Sequence, residues 1–151
     1  MKNKFRFTSP DYILVFIILE ILLNYIFPLK QIIFAPYIYL GILLIIIGAY
    51  LNFIWVYFTF KKEKTTFNPY VSPTKLITYG AFKISRNPTY LGMSLILFGT
   101  AIFLGSLSPF IFPILFIILT NRFIIPIEES NLQKKFGKKY SSYKTSTRRW
   151  I

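Results

Sequence analysis

Apolar residues fall in four long runs, at about 12–29, 36–60, 90–105 and 109–127, separated by shorter polar or basic stretches. Each run approaches or exceeds the ~20 residues an α-helix needs to cross the hydrocarbon core of a bilayer. The third is the shortest and is expected to tilt, thin the bilayer or be partly re-entrant. The first is not read as a cleavable signal peptide, because its distal end, Phe27-Pro28-Leu29-Lys30, carries no small-x-small cleavage site. The pattern predicts an all-α, polytopic membrane protein with four transmembrane helices. It divides into an N-terminal helical hairpin (1–60) and a second unit (61–151).

A further helix is expected after Pro126, from Glu128 to about Tyr143, amphipathic and cytosolic. Leu132, Phe136, Tyr140 and Tyr143 recur at i, i+4, i+8 and i+11, the spacing of one helical face. Glu128 and Glu129 sit at its start and lysines fill its later turns, as the helix macrodipole favours. That face is expected to pack on the membrane helices, with Gly137 as a close-approach point or bend. The connection 61–88 contains Pro69, Pro73 and Gly80 and also many apolar residues, among them Phe67, Tyr70, Val71, Ile77 and Phe82. It is therefore expected on the membrane face, or folded back over the helix ends.

Basic residues orient the helices. Lys2, Lys4 and Arg6 precede the first run; Lys61, Lys62, Lys64, Lys75, Lys83 and Arg86 lie between the second and third; and Lys134 to Arg149 hold seven more after the fourth. The other two connections carry only Lys30 and no charge in Ser106-Leu107-Ser108. The positive-inside rule then places both termini in the cytosol of a multi-pass cell-membrane protein. The net charge of +13 fits anionic lipid headgroups rather than nucleic acid, since the basic residues alternate with membrane-length apolar runs. There is no cysteine or histidine and there are only five acidic residues, so no metal site is expected.

Candidate chemistry gathers at two polar stretches flanking the last two apolar runs. The first is Ser85-Arg86-Asn87-Pro88-Thr89-Tyr90-Leu91-Gly92; the second is Glu128-Glu129, then Leu132, Phe136-Gly137, Tyr140, Tyr143 and Arg149-Trp150. Read on their own, Arg86 suits snorkelling to headgroups, Asn87 a helix cap, Tyr90 an interfacial aromatic belt and the glutamates a helix N-terminus. Arg122, inside the fourth run, is open between snorkelling, pairing with Glu129 and binding a ligand carboxylate. Glu20 and Asn24, one turn apart in the first run, are expected to make interhelical hydrogen bonds. Gly41 and Gly48, like Gly92 and Gly99, are spaced seven apart and mark close helix contacts.

The two stretches resemble the membrane methyltransferase family that includes isoprenylcysteine carboxyl methyltransferases and phospholipid N-methyltransferases. Arg86 to Gly92 is similar to its Arg-His/Asn-Pro-x-Tyr-x-Gly signature, in the bacterial form with Asn. Glu128 to Tyr143 is similar to Glu-Glu-x-x-Leu-x-x-x-Phe-Gly-x-x-Tyr-x-x-Tyr. The likeness extends to Thr65-Thr66-x-x-Pro69 and Leu76-x-x-x-Gly80-x-Phe82, and covers roughly 65–151. It implies S-adenosylmethionine as cofactor, with Arg86, Asn87, Tyr90, Gly92, Glu128, Glu129, Tyr140 and Tyr143 lining its site, Asn87 and Glu129 catalytic, and one or both glutamates on the cofactor's ammonium. It also implies a lipidic, membrane-embedded acceptor. Where eukaryotic-type members carry His, Asn87 cannot exchange protons near neutrality, which favours an already ionised carboxylate nucleophile over a lipid amine. Both O- and N-methylation stay open, as do an NADPH-dependent membrane reductase of related architecture and a non-catalytic scaffold. No glycine-rich dinucleotide or phosphate loop is present.

Overall fold

A computed structural model describes residues 9–65 and 74–151. Lys2, Lys4 and Arg6, and Thr66, Phe67, Pro69, Tyr70, Val71 and Pro73 of the second connection, lie outside the described residues. The described chain is helical: α1 (Ser9–Ile26), α2 (Tyr39–Glu63), the single turn α3 (Ala81–Ile84), α4 (Pro88–Leu104), α5 (Ser108–Phe136) and α6 (Lys138–Ser146). Helices α2 and α5 are long and apolar enough to cross a membrane; α1 and α4 are shorter apolar helices. Outward residues such as Leu14 and Ile18 on α1, Leu43 and Ile46 on α2, and Ile114 and Ile118 on α5 are exposed, which fits a lipid surround.

Lipid is as apolar as leucine, so close packing rather than apolar burial must hold such helices together. The glycines supply it. A Cβ on Gly41 would lie 2.3 Å from the Gly99 carbonyl oxygen, and one on Gly48 would lie 2.5 Å from that of Gly92. The two seven-residue pairs thus face each other across antiparallel α2 and α4. A second cluster joins Ile13 of α1, Met93, Ile96 and Leu97 of α4 and Phe116 and Ile125 of α5. Phe16 sets its edge against Phe112 and Phe116 there.

Hydrogen bonds close one end of the bundle. The Ile32 and Ile33 N–H groups donate to the Gly105 carbonyl, and the Leu107 N–H donates to that of Lys30. Ser106 Oγ donates to Asn24 Oδ1 at 2.5 Å. The expected polar pair in α1 is only half realised. Glu20 is fully buried, yet neither carboxylate oxygen has a hydrogen-bond partner among the described residues. Asn24 lies a turn nearer the helix end, where the α4–α5 turn passes.

The most consequential difference from the sequence reading is at Pro126. No helix starts after it: α5 runs through. Proline in an α-helix loses a hydrogen bond and clashes with the carbonyl four residues back. Just before it the backbone widens into a π-helical stretch, Thr120–Ile124, and the Ile125 N–H donates to Thr120 O, five residues back. The wider turn lets Pro126 sit in mid-helix, so Glu128 and Glu129 are not at a free helix N-terminus. The stop comes instead at Gly137 (φ 50, ψ −122), which separates α5 from α6. A Cβ there would meet nothing within 4 Å, so Gly137 is a bend and not a close-approach point. The helix expected from Glu128 to Tyr143 is therefore two helical pieces.

The connection after α2 folds back over the helix ends where it is described. Ala81 is buried against Leu51 and Val56 of α2, and Phe82 stacks edge-on with Phe60. Helix α2 is itself π-helical over Tyr50–Val56 at this level.

Candidate functional site

Three segments far apart in sequence meet at the other end of the bundle. They are the turn Ser85–Asn87 before α4, the stretch of α5 around Glu128 and Glu129, and the strap that follows α6. Pro88 occupies the first turn of α4, where its missing N–H has no intrahelical partner to lose. Asn87 precedes it with φ −127 and ψ 58 and makes no side-chain cap. Its Nδ2 instead donates to the Arg149 carbonyl at 3.0 Å, a carbonyl that also accepts from Ser85 Oγ at 3.0 Å. Ser85 Oγ in turn accepts the Asn87 N–H.

Glu129 is the electrostatic centre. It is 8% exposed, and three cations converge on it. Arg149 forks it, Nε to Oε1 at 3.2 Å and Nη2 to Oε2 at 2.8 Å. Arg86 Nη1 lies 3.3 Å from Oε1 and Lys144 Nζ 3.7 Å from Oε2. Arg122 is exposed and is not among these partners, so pairing with Glu129 is not its role. Arg86 does not snorkel, since its side chain is only 9% exposed. Its Nε and Nη1 are buried and donate to no partner among the described residues. A buried guanidinium with open donors is a site for an anionic oxygen group.

Glu128 takes a separate position. Its Oε1 accepts the Tyr90 hydroxyl at 2.7 Å, which draws Tyr90, buried in the core, away from any interfacial belt. No salt bridge reaches Glu128 among the described residues. Tyr140 and Tyr143 are buried, 6.2 Å apart and edge to face. The Tyr143 hydroxyl donates to Phe82 O at 2.5 Å, and the Tyr140 hydroxyl lies against Arg86. Burial pushes both hydroxyls above the usual phenol range; Glu129 adds to this at Tyr140, while Arg86 opposes it at both. Both stay neutral, and Tyr140 braces Arg86.

Seven of the residues singled out from the sequence thus converge: Arg86, Asn87, Tyr90, Glu128, Glu129, Tyr140 and Tyr143. Gly92 does not join them. It packs in the α2–α4 seam, where an added Cβ would be 2.6 Å from Asn52 Nδ2 and 2.9 Å from Gly48 O. Ser85 and Arg149, which stood at the ends of the two stretches, join the converging residues, and the structure adds Lys144 and Asn121, whose Oδ1 accepts from Arg149 Nη1 at 2.9 Å. Asn121 gave no sequence signal, because the π-helical turn that aims it has no compositional mark.

With this geometry in view, the comparisons with known proteins decide the family. The family model for phospholipid methyltransferase matches residues 36–139, more than half of the chain. The chain belongs to this family. The match spans both polar stretches as far as Lys139 and reaches back through α2, which the motif resemblance did not cover. A protein of Haemophilus influenzae, described as uncharacterized, is 40% identical over 62 residues, covering 41% of this chain and 98% of that protein. No solved structure matches. Family membership together with the apolar helices makes the chain a membrane protein of methyltransferase class.

Proposed function

We propose that the protein transfers a methyl group from S-adenosylmethionine to a lipidic acceptor at the cytosolic edge of a four-span bundle. Both termini are then cytosolic, and the basic connections face anionic lipid. The observation that carries this reading is the buried Arg86, with unpartnered Nε and Nη1 donors, beside the ion-paired Glu129, while the neighbouring Glu128 meets only the Tyr90 hydroxyl among the contacts above. A zwitterionic amino-acid tail needs both signs. Arg86 suits its carboxylate, and Glu128, which has only the Tyr90 hydroxyl among the contacts above, suits its ammonium. Glu129 already meets Arg86, Arg149 and Lys144, so its role is to hold the arginines in place.

The bound cofactor supplies an electrophilic methyl group on a sulfonium, and the transfer asks the protein mainly for alignment. Asn87 contributes by orientation: its amide is anchored to the strap, and it has no proton to exchange near neutrality. Tyr90 steadies Glu128. The acceptor enters from the bilayer, and a carboxylate nucleophile needs no base, which favours O-methylation over N-methylation. No structural feature favours the reductase or scaffold readings over this one.

The test is incorporation of label from S-adenosylmethionine, tritiated in the methyl group, into the organic extract of membranes containing the protein. Incorporation that is lost in Glu128→Gln supports the reading, and release of volatile methanol by base marks the product as an ester. Base-stable label would select N-methylation. No incorporation above membranes lacking the protein would contradict the function.

A further inference from the structure

We infer that Arg149 is a positioning residue that keeps Glu129 from closing on Arg86, and so keeps Arg86 open for the ligand. The inference rests on the methyltransferase reading and deepens it. After α6 the backbone turns extended at Thr147 (φ −133, ψ 132) and runs alongside the turn that precedes α4. The Arg86 N–H donates to Arg148 O at 2.9 Å, and the Arg149 carbonyl takes Ser85 Oγ and Asn87 Nδ2. The main chain of the strap thereby sets the turn that presents Arg86. Trp150 packs on the core beyond it.

The Arg149 side chain points the other way, into α5. It spans Asn121 and both oxygens of Glu129, about two helical turns apart. A guanidinium fork fixes the plane of a carboxylate as well as its position, which a lysine's point charge cannot do. With Arg149 on both oxygens, Glu129 offers Arg86 only the shared Oε1, at 3.3 Å and out of hydrogen-bond alignment. Two arginines cannot both fork one carboxylate in its plane. Without Arg149, Glu129 turns freely and closes an Nη1–Nη2 fork on Arg86, consuming the Nη1 donor that an anionic ligand group would use. One residue thus couples the strap to the affinity of Arg86.

The experiment compares two ligands on the purified full chain: S-adenosylhomocysteine, and 5′-methylthioadenosine, which keeps the nucleoside and sulfur but lacks the amino-acid tail. Arg149→Gln is expected to weaken S-adenosylhomocysteine at least tenfold and to leave methylthioadenosine within about twofold. Arg149→Lys, which keeps the charge and the stem and thus the fold, should lose the preference in part. In an Arg86→Lys background, Arg149→Gln should have no further effect, because Arg149 acts through Arg86. Equal weakening of both ligands, or an unchanged preference in Arg149→Lys together with additive effects in the double variant, would overturn the inference and leave the methyltransferase reading intact. A wild type that binds neither ligand would remove that reading, and this inference with it.

Discussion

Glu129→Gln removes the charge at the centre of the site while keeping its shape, and its cost can be worked from the surroundings. Three cations face this carboxylate with unequal access to water. The Arg86 side chain is 9% exposed, that of Arg149 31% and that of Lys144 50%. Lys144 and, in good part, Arg149 can be rehydrated, so each behaves like a surface pair contributing about 0–1 kcal/mol. Arg86 cannot, and removing one partner of a buried pair costs about 3–5 kcal/mol. The sum should lie near the lower end of that range, about 3 kcal/mol, because the Gln oxygen still accepts one donor. In a chain of this size that is a drop of roughly 6–12 °C in melting temperature. Thermal unfolding in mild detergent, followed by circular dichroism, reads it. The exposed Lys75–Glu63 pair, 3.1 Å apart, is the internal control: Lys75→Ala should leave the melting temperature nearly unchanged. A Glu129→Gln variant within about 1 kcal/mol of wild type would refute the reasoning, since Arg86 would then be shown to tolerate burial without this partner.

Gly48→Ala drives a Cβ to 2.5 Å from a backbone oxygen that cannot rotate away, so α2 and α4 must part; a loss of about 1–3 kcal/mol in the same unfolding assay is expected. Gly137→Ala meets no neighbour but must hold φ 50 and ψ −122, which costs about 1–3 kcal/mol through backbone strain alone. The two changes separate crowding from conformation, because enlarging Ala to Val should worsen the first far more than the second. At high pH, Tyr140 and Tyr143 keep protons that the unfolded chain releases above about pH 10. Their contribution is complete below that pH and is lost as pH rises towards their raised folded values, so melting temperature should fall beyond pH 10, and fall less in Tyr143→Phe.

The helical character and the polar stretches were legible because they depend on residue type and spacing. Four apolar runs, the opposed glycine pairs and the gathering of Arg86, Asn87, Tyr90 and Glu128–Glu129 follow from periodicity and motif. What escaped depends on backbone adjustments that carry no compositional mark. Pro126 reads as a helix start, yet the π-helical turn before it lets α5 continue and moves the break to Gly137. The same turn places Asn121 against Arg149. Gly92 sits inside the motif, but its missing side chain serves the α2 seam, the close helix contact that its seven-residue spacing from Gly99 marked. Arg149 stood out at the end of a family pattern, but its partnership with Glu129 is a long-range pairing that only the packed structure shows. Glu20 illustrates the reverse. Its burial follows from its place in an apolar helix, while its lack of a hydrogen-bond partner among the described residues does not.

The most direct test of the central claim is the melting temperature of the detergent-purified protein with S-adenosylhomocysteine, with NADPH and without ligand. A ligand that binds only the folded state, at 100 times its dissociation constant, adds about 2.7 kcal/mol. The account predicts a rise with S-adenosylhomocysteine that is reduced in Glu128→Gln, and none with NADPH. A rise with NADPH alone, or no rise with either ligand on a folded protein, would contradict it.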